Sequence, residues 1–190
     1  SNLVLYFLLL LFLHACSPTN ILATGSGSAM VIAEGERSMG SVIDDATIKV
    51  NIAAKLINSE DNLFVNISTT VVAGRVLLTG LVDNQEIRID AVRKVWEVNG
   101  VQEVINEIQV GNRDSLKEYA NDLWINTQAK GLAAKAVGLR VVGYNFETIQ
   151  GKVYIAGITS RPEQLEDLIE AVKTIKGVKE IVNYVIVVKE

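Results

Sequence analysis

Histidine and cysteine each occur once in the 190 residues, as His14 and Cys16, both within the first 16 positions. From Ser17 onward no Ser-His-Asp or Cys-His constellation can be assembled, and no His/Cys zinc site can form. A single cysteine also rules out an intramolecular disulfide. Basic charge is short: 18 Lys and Arg face 22 Asp and Glu, a net charge of −4. With no basic-aromatic cluster, this balance disfavours nucleic-acid binding. None of the 14 glycines opens a phosphate loop, because no Gly-Lys-Ser/Thr follows. Carboxylates are plentiful, as in Asp44-Asp45, Glu60-Asp61 and Glu166-Asp167, but adjacent acids at helix ends and loops read as caps and solvated faces. The expectation is a non-enzymatic protein without cofactor or metal.

The longest apolar run, Leu3 to Leu13, is 11 residues, where a spanning helix needs about 20. It has the length of a signal-peptide h-region, with small Ala15 at the place of cleavage. Leu13-His14-Ala15-Cys16 resembles a bacterial lipobox, in which the cysteine becomes the lipidated first residue. The basic n-region is absent and His14 is unusual in that box, so residues 1–15 read as an incomplete signal peptide. The alternative is a plain secretory signal. Against it, one unpaired thiol in a secreted protein is odd, and acylation removes the oddity. Ser17 after the cysteine implies, by resemblance to sorted lipoproteins, the outer membrane rather than retention in the inner one. Residues 16–40, rich in Ser, Gly, Ala and Thr, are expected as a lipidated flexible tether.

What remains is a duplication. Residues 45–110 reappear as 122–187 at a constant offset of 77, with 14 identities in 66 positions, against about 4 by chance. The identities include Asp45/Asp122, Gly74/Gly151, Gly80/Gly157, Glu103/Glu180 and Asn106/Asn183. Two domains follow, 41–111 and 114–190, each near the lower size limit for an independent core and expected to pack on the other. Each reads as helix, strand, strand, helix, strand. Ile48, Ile52 and Leu56 mark a buried helical stripe that Asp44 or Asp45 can cap. Val65, Ile67, Thr69 and Val71 alternate along a strand, and Val76, Leu78 and Gly80 to Val82 along the next, with Gly74 at the turn between. Ile87, Val92 and Val95 face inward from a second helix capped by Gly100; Val104, Ile105, Ile108 and Val110 form the last strand. In the second copy Pro162 starts the second helix. The fold class is α+β: in each domain a three-stranded mixed sheet covered on one face by two helices.

The segments Gly74-Arg-Val-Leu-Leu-Thr-Gly80 with Gly100-Val-Gln-Glu-Val-Ile-Asn106, and Gly151-Lys-Val-Tyr-Ile-Ala-Gly157 with Gly177-Val-Lys-Glu-Ile-Val-Asn183, resemble BON domains (bacterial OsmY and nodulation). Together with the lipobox and linker, the chain is similar to the dual BON-domain outer-membrane lipoproteins. Arg37-Ser38-Met39-Gly40 with Asp44-Asp45, and Asn121 to Ile125, sharpen the likeness.

The copies differ in charge. Residues 41–114 carry 7 Lys/Arg and 11 Asp/Glu, a balance of −4; residues 115–190 carry 10 and 9, a balance of +1. The second domain is the better suited to an anionic surface. Its first helix, started by a Ser115-Leu116-Lys117-Glu118 capping box, should run from near Asp114 to about Val137, with Ile125, Ala129, Leu132 and Ala136 inward. Trp124 lies about 100° from Ile125, where the first copy has Thr47. Lys117, Gln128, Gly131, Ala134 and Lys135 share its side, a pattern that suits a membrane interface. The family resemblance implies that this helix binds anionic phospholipid. It carries an aromatic role onto Trp124 and a basic one onto Lys130, while Gln128 replaces a lysine and Ala134 a bulkier apolar residue, which implies a weaker affinity. The expected protein is a periplasm-facing outer-membrane lipoprotein, anchored at Cys16, serving envelope integrity by lipid binding. The alternative is a scaffold whose domains bind an envelope protein partner.

Overall fold

The computed structural model describes residues 39–59, 63–112, 116–137 and 143–189. The signal segment, Cys16, the tether to residue 38, Asp114 and the capping-box Ser115 lie outside them. The first half contains α1 (Met39–Ile57), a short 3-10 turn (Leu63–Val65), β1 (Ile67–Val72), β2 (Arg75–Val82), α2 (Gln85–Trp96) and β3 (Glu103–Val110). The second contains α3 (Leu116–Val137), β4 (Tyr144–Ile149), β5 (Lys152–Thr159), α4 (Pro162–Lys173) and β6 (Glu180–Val187). The architecture is α+β, two tandem α-β-β-α-β units. In each, an antiparallel hairpin is extended by a parallel third strand, so β2 and β5 are central in sheets ordered β1-β2-β3 and β4-β5-β6.

Two helices cover one face of each sheet. Ile48, Ile52 and Leu56 of α1 and Ala91 and Val95 of α2 close over Ile67, Val71, Val76 and Leu78. Ile125, Ala129 and Ala133 of α3, with Leu165, Leu168 and Val172 of α4, do the same over Tyr144, Phe146, Val153 and Ile155. Ala133, the equivalent of Leu56, is fully buried; Ala136, expected inward, is exposed because the last turn of α3 overhangs the core. Val65 is not in a strand either. It ends the 3-10 turn with its side chain in solvent, and β1 starts two residues later. The inner glycines answer to close backbone approach: a Cβ on Gly80 would lie 2.1 Å from the Asn66 carbonyl oxygen, and one on Gly157 2.2 Å from that of Gly143.

Asp45 does not cap α1, which begins at Met39, inside the stretch expected as tether. Its buried carboxylate instead accepts the backbone N–H groups of Ala73 and Gly74, both at 2.9 Å. Asp122 accepts those of Gln150 and Gly151, both at 2.8 Å. The central residues of each hairpin turn have positive φ, 52° and 74° in the first and 52° and 83° in the second, the signature of a type I′ turn. Ala73 and Gln150 pay a steric penalty of about 1 kcal/mol in that region. The charged acceptor offsets it by satisfying both turn donors and ties each hairpin to its helix. Nor is Gly100 the cap of α2: Glu97 occupies that place, and Gly100 lies in the turn beyond it.

The faces of the sheets that carry no helix pack on each other. Leu77, Leu81, Ile149, Tyr154 and Ala156 are buried there, with Ile105, Val182 and Tyr184 partly so. Each large apolar side chain contributes roughly 1.5–3 kcal/mol on full burial. The total, on the order of 10 kcal/mol as an upper estimate, matches the whole stability of a small domain. Gln109 Nε2 donates to Tyr154 Oη at 3.3 Å, Lys152 lies 3.6 Å from Glu107, and the Tyr184 hydroxyl donates to the Glu107 carboxylate. Burial and that acceptor push the Tyr184 hydroxyl up to about 12. Glu107 and Tyr184 are 77 residues apart, so equivalent positions meet and the halves pack as a quasi-symmetric pair.

Along the outer strands the recurring asparagines act as covers. Asn106 Oδ1 accepts from Ile108 N–H at 3.1 Å and Asn183 Oδ1 from Val185 N–H at 2.9 Å. Arg88 also donates to the Ile108 carbonyl at 3.4 Å. The Ile108 N–H and C=O and the Val185 N–H are thereby withheld from an added strand.

Replacing Asp45 or Asp122 by alanine should destabilise the fold by about 2–3 kcal/mol, since one buried and one part-buried donor lose their carboxylate acceptor. Denaturant unfolding checks this; a loss below ~0.5 kcal/mol would refute the clamp. At the domain junction Glu147 is raised above the ordinary carboxylate range by burial, against the opposing influence of Lys130, Lys49 and a Ser68 hydrogen bond. A carboxyl whose folded pKa is raised destabilises once ionised, so its contribution worsens as pH climbs from the unfolded value through the folded one. Glu147→Gln should therefore stabilise the protein at neutral pH, with the gain fading as pH falls into the carboxylate range. Melting temperatures across that range check it, and a gain that grows on acidification would contradict it.

Candidate lipid-facing helix

Since the sheets face each other, the helices face outward, and α3 presents a long solvent face. Its 22 residues include an inward stripe anchored by Ile125, Ala129 and Ala133. Trp124, one step of 100° away, is 46% exposed. Lys117, Gln128, Gly131 and Lys135 fall within about 40° of it on a regular helix, and all are exposed. Ala134 is exposed about 80° to one side. Six of the seven residues singled out in the sequence thus share one broad face.

Lys130 is the exception. It is exposed about 120° from Trp124, in line with Leu123 on the side of α3 nearest the domain junction, where its charge acts on Glu147. Gly131 has nothing within 4 Å of where a Cβ would stand. No internal contact requires glycine there, although glycine inside a helix costs about 1 kcal/mol relative to alanine.

α3 carries a second apolar group outside the expected site residues. Leu116 is 85% and Leu123 57% exposed, and Tyr119 is half-exposed. Their i, i+3, i+7 spacing was itself a signal, because the inward stripe was already filled and a second stripe has to lie outside. On the helical wheel Leu116 and Leu123 lie about 80–100° from Trp124, opposite Ile125. The exposed arc therefore runs from the leucines to the indole, with Lys117 and Lys135 within about 20° of it. Tyr119, Leu123 and Asn126 also border a cavity of about 250 Å³ at the domain junction, completed by Val65, Ser68 and Glu147. Among the described residues no group of three His, Cys, Asp or Glu could hold a metal ion. No described helix is long and apolar enough to cross a membrane.

Comparison with known proteins agrees with this architecture. The BON domain model matches residues 44–112 and 121–189, one match for each structural unit. An uncharacterized protein in the gshII 5′ region of Anaplasma centrale is 39% identical over 144 residues, covering 75% of this chain and 94% of that one. The outer membrane lipoprotein DolP of Haemophilus influenzae is 28% identical over 179 residues, covering 91% and 89% respectively. The osmotically-inducible protein Y of Escherichia coli is 27% identical over 173 residues, covering 89% and 85%. With a BON domain in each of its two structural units, the chain belongs to the BON-domain family.

Proposed function

We propose that this chain is a non-enzymatic envelope lipoprotein, held at the periplasmic face of the outer membrane through Cys16, whose second BON domain binds anionic phospholipid with α3. The similarity to an outer membrane lipoprotein along most of both chains supports the location, and the lipobox-like Leu13-His14-Ala15-Cys16 supports the anchor. The observation that carries the lipid reading is the exposed indole of Trp124, flanked by Lys117 and Lys135 with exposed leucines to one side. An indole sits among headgroups, where its ring is apolar and its N–H stays hydrogen-bonded. Leu116 and Leu123 reach toward the acyl boundary. Lys117 and Lys135, whose side chains have no ion-pair partner among the described residues, meet phosphate at about 1 kcal/mol each. The Cys16 anchor raises the local concentration of α3 at the bilayer, so a modest intrinsic affinity suffices. Binding of this kind would serve envelope integrity.

Cosedimentation with liposomes tests the reading. The wild-type protein should bind vesicles containing anionic lipid more tightly than zwitterionic ones, with an affinity that drops at high salt. Trp124→Ala should weaken binding by about tenfold or more, the loss of one buried aromatic. Binding that ignores both lipid charge and this substitution would sink the proposal. Gly131→Ala separates stability from contact: it should stabilise the helix by about 0.5–1 kcal/mol. If bilayer or headgroups pack closely against the glycine, the same variant should bind vesicles less well than wild type.

A further inference from the structure

The two halves share a fold but not an outer surface, and the largest difference lies away from α3. On α2, Ile89 is 57% and Trp96 51% exposed. At the equivalent positions of α4, offset by 77, stand Glu166 and Lys173, both exposed. The residues are seven apart, two helical turns or about 10 Å along one side. The core-facing positions of these helices, Ala91 and Val95 against Leu168 and Val172, are apolar in both copies and buried in both. The shared fold therefore needs no apolar group at 89 or 96, and α4 shows the ordinary solvated alternative. An exposed Trp is a residue type that anchors protein interfaces, and Ile89 extends the apolar ridge beside it.

The charge around this ridge differs from that around Trp124. Arg93 and Lys94 are both engaged by Asp90 on the same helix, and Glu97 by Lys55 of α1. At the other end of α2, Asp83 and Glu86 are exposed and have no side-chain partner among the described residues. The half that carries the ridge has a balance of −4. An anionic bilayer would be repelled here. A partner with apolar side chains flanked by Lys or Arg would be attracted. The mode of contact is also restricted, because the neighbouring edge of β3 has its Ile108 N–H and C=O occupied by Asn106 and Arg88. The edge is a poorer template for an added strand at that point, whereas a helix packing on the ridge needs none of its backbone groups.

We propose that the Ile89–Trp96 ridge of α2 is a docking surface for an amphipathic helix of another protein, with apolar anchors seated on the indole and basic residues meeting Asp83 and Glu86. The surface is separate from α3 and does not rest on the lipid reading; either can fail alone.

The test is photo-crosslinking in intact cells of the full chain carrying p-benzoylphenylalanine at position 89 or 96, with positions 166 and 173 as controls. The expected result is a protein adduct specific to 89 and 96 whose mapped peptide holds apolar residues beside Lys or Arg. Its yield should fall about fivefold when Asp83→Lys and Glu86→Lys are combined, the effect of losing two solvent-exposed charge pairs. All these positions are exposed, so the variants leave the core intact. Four outcomes would each overturn the proposal: lipid adducts, adducts to a second copy of this chain, yields indifferent to charge reversal, and labelling no higher than at 166 and 173.

Discussion

A three-stranded sheet whose helices cover one side leaves its central strand half dressed. In β2 and β5 that uncovered side carries Leu77, Leu81, Tyr154 and Ala156, too apolar to meet water. Burying the two bare sides against one another resolves the problem for both halves at once. It also fixes which surfaces remain for anything else: sheets inside, helices outside. The hairpins are held by Asp45 and Asp122, so each sheet has a rigid edge fastened to its own first helix. The scaffold is conservative, and the variation between copies collects on the outward helices.

That variation is the functional information in the molecule. Three of the four helices among the described residues expose large apolar residues in patterns that the other copy lacks. α3 has Leu116, Leu123 and Trp124 among lysines; α2 has Ile89 and Trp96, with exposed acids at its first turn; Val50 and Ile57 lie exposed on α1. Their equivalents across the repeat are smaller or polar: Thr47 for Trp124, Lys173 for Trp96, Thr127 for Val50 and Ala134 for Ile57. One near-neutral and one acidic half, each with its own exposed apolar ridge, are what the two proposed contacts rest on.

The element order, the helix stripes and the solvent exposure of Trp124 were all readable from periodicity, since a helix buried on one side writes its geometry into a 3.6-residue pattern. The misread residues have physical reasons. Asp45 sits next to an apolar stripe, as a cap would, but its partners are 28 and 29 residues away and no local pattern announces them. Val65 continues a strand-like alternation, yet the chain is still turning there. Ala136 keeps helical phase beyond the point where the core ends. Leu116, Tyr119 and Leu123 repeat with the same helical period as the inward stripe, so period alone does not say which of the two stripes is buried. The sheet-to-sheet contact left a clearer trace, since β2 and β5 read as nearly continuous apolar runs, the mark of strands buried on both sides.

The hydrogen bond between Glu107 and Tyr184 joins two places that the duplication makes counterparts. Such a meeting belongs to a symmetric dimer, in which every feature of one outer surface must be repeated on the other. Fusing the two subunits into one chain lifts that obligation. Here the contact that kept its symmetry has already broken its chemistry, with a carboxylate on one side and a phenol on the other. The outer helices have gone further, and a fused pair can offer the cell two different faces where an unfused one could only offer the same face twice.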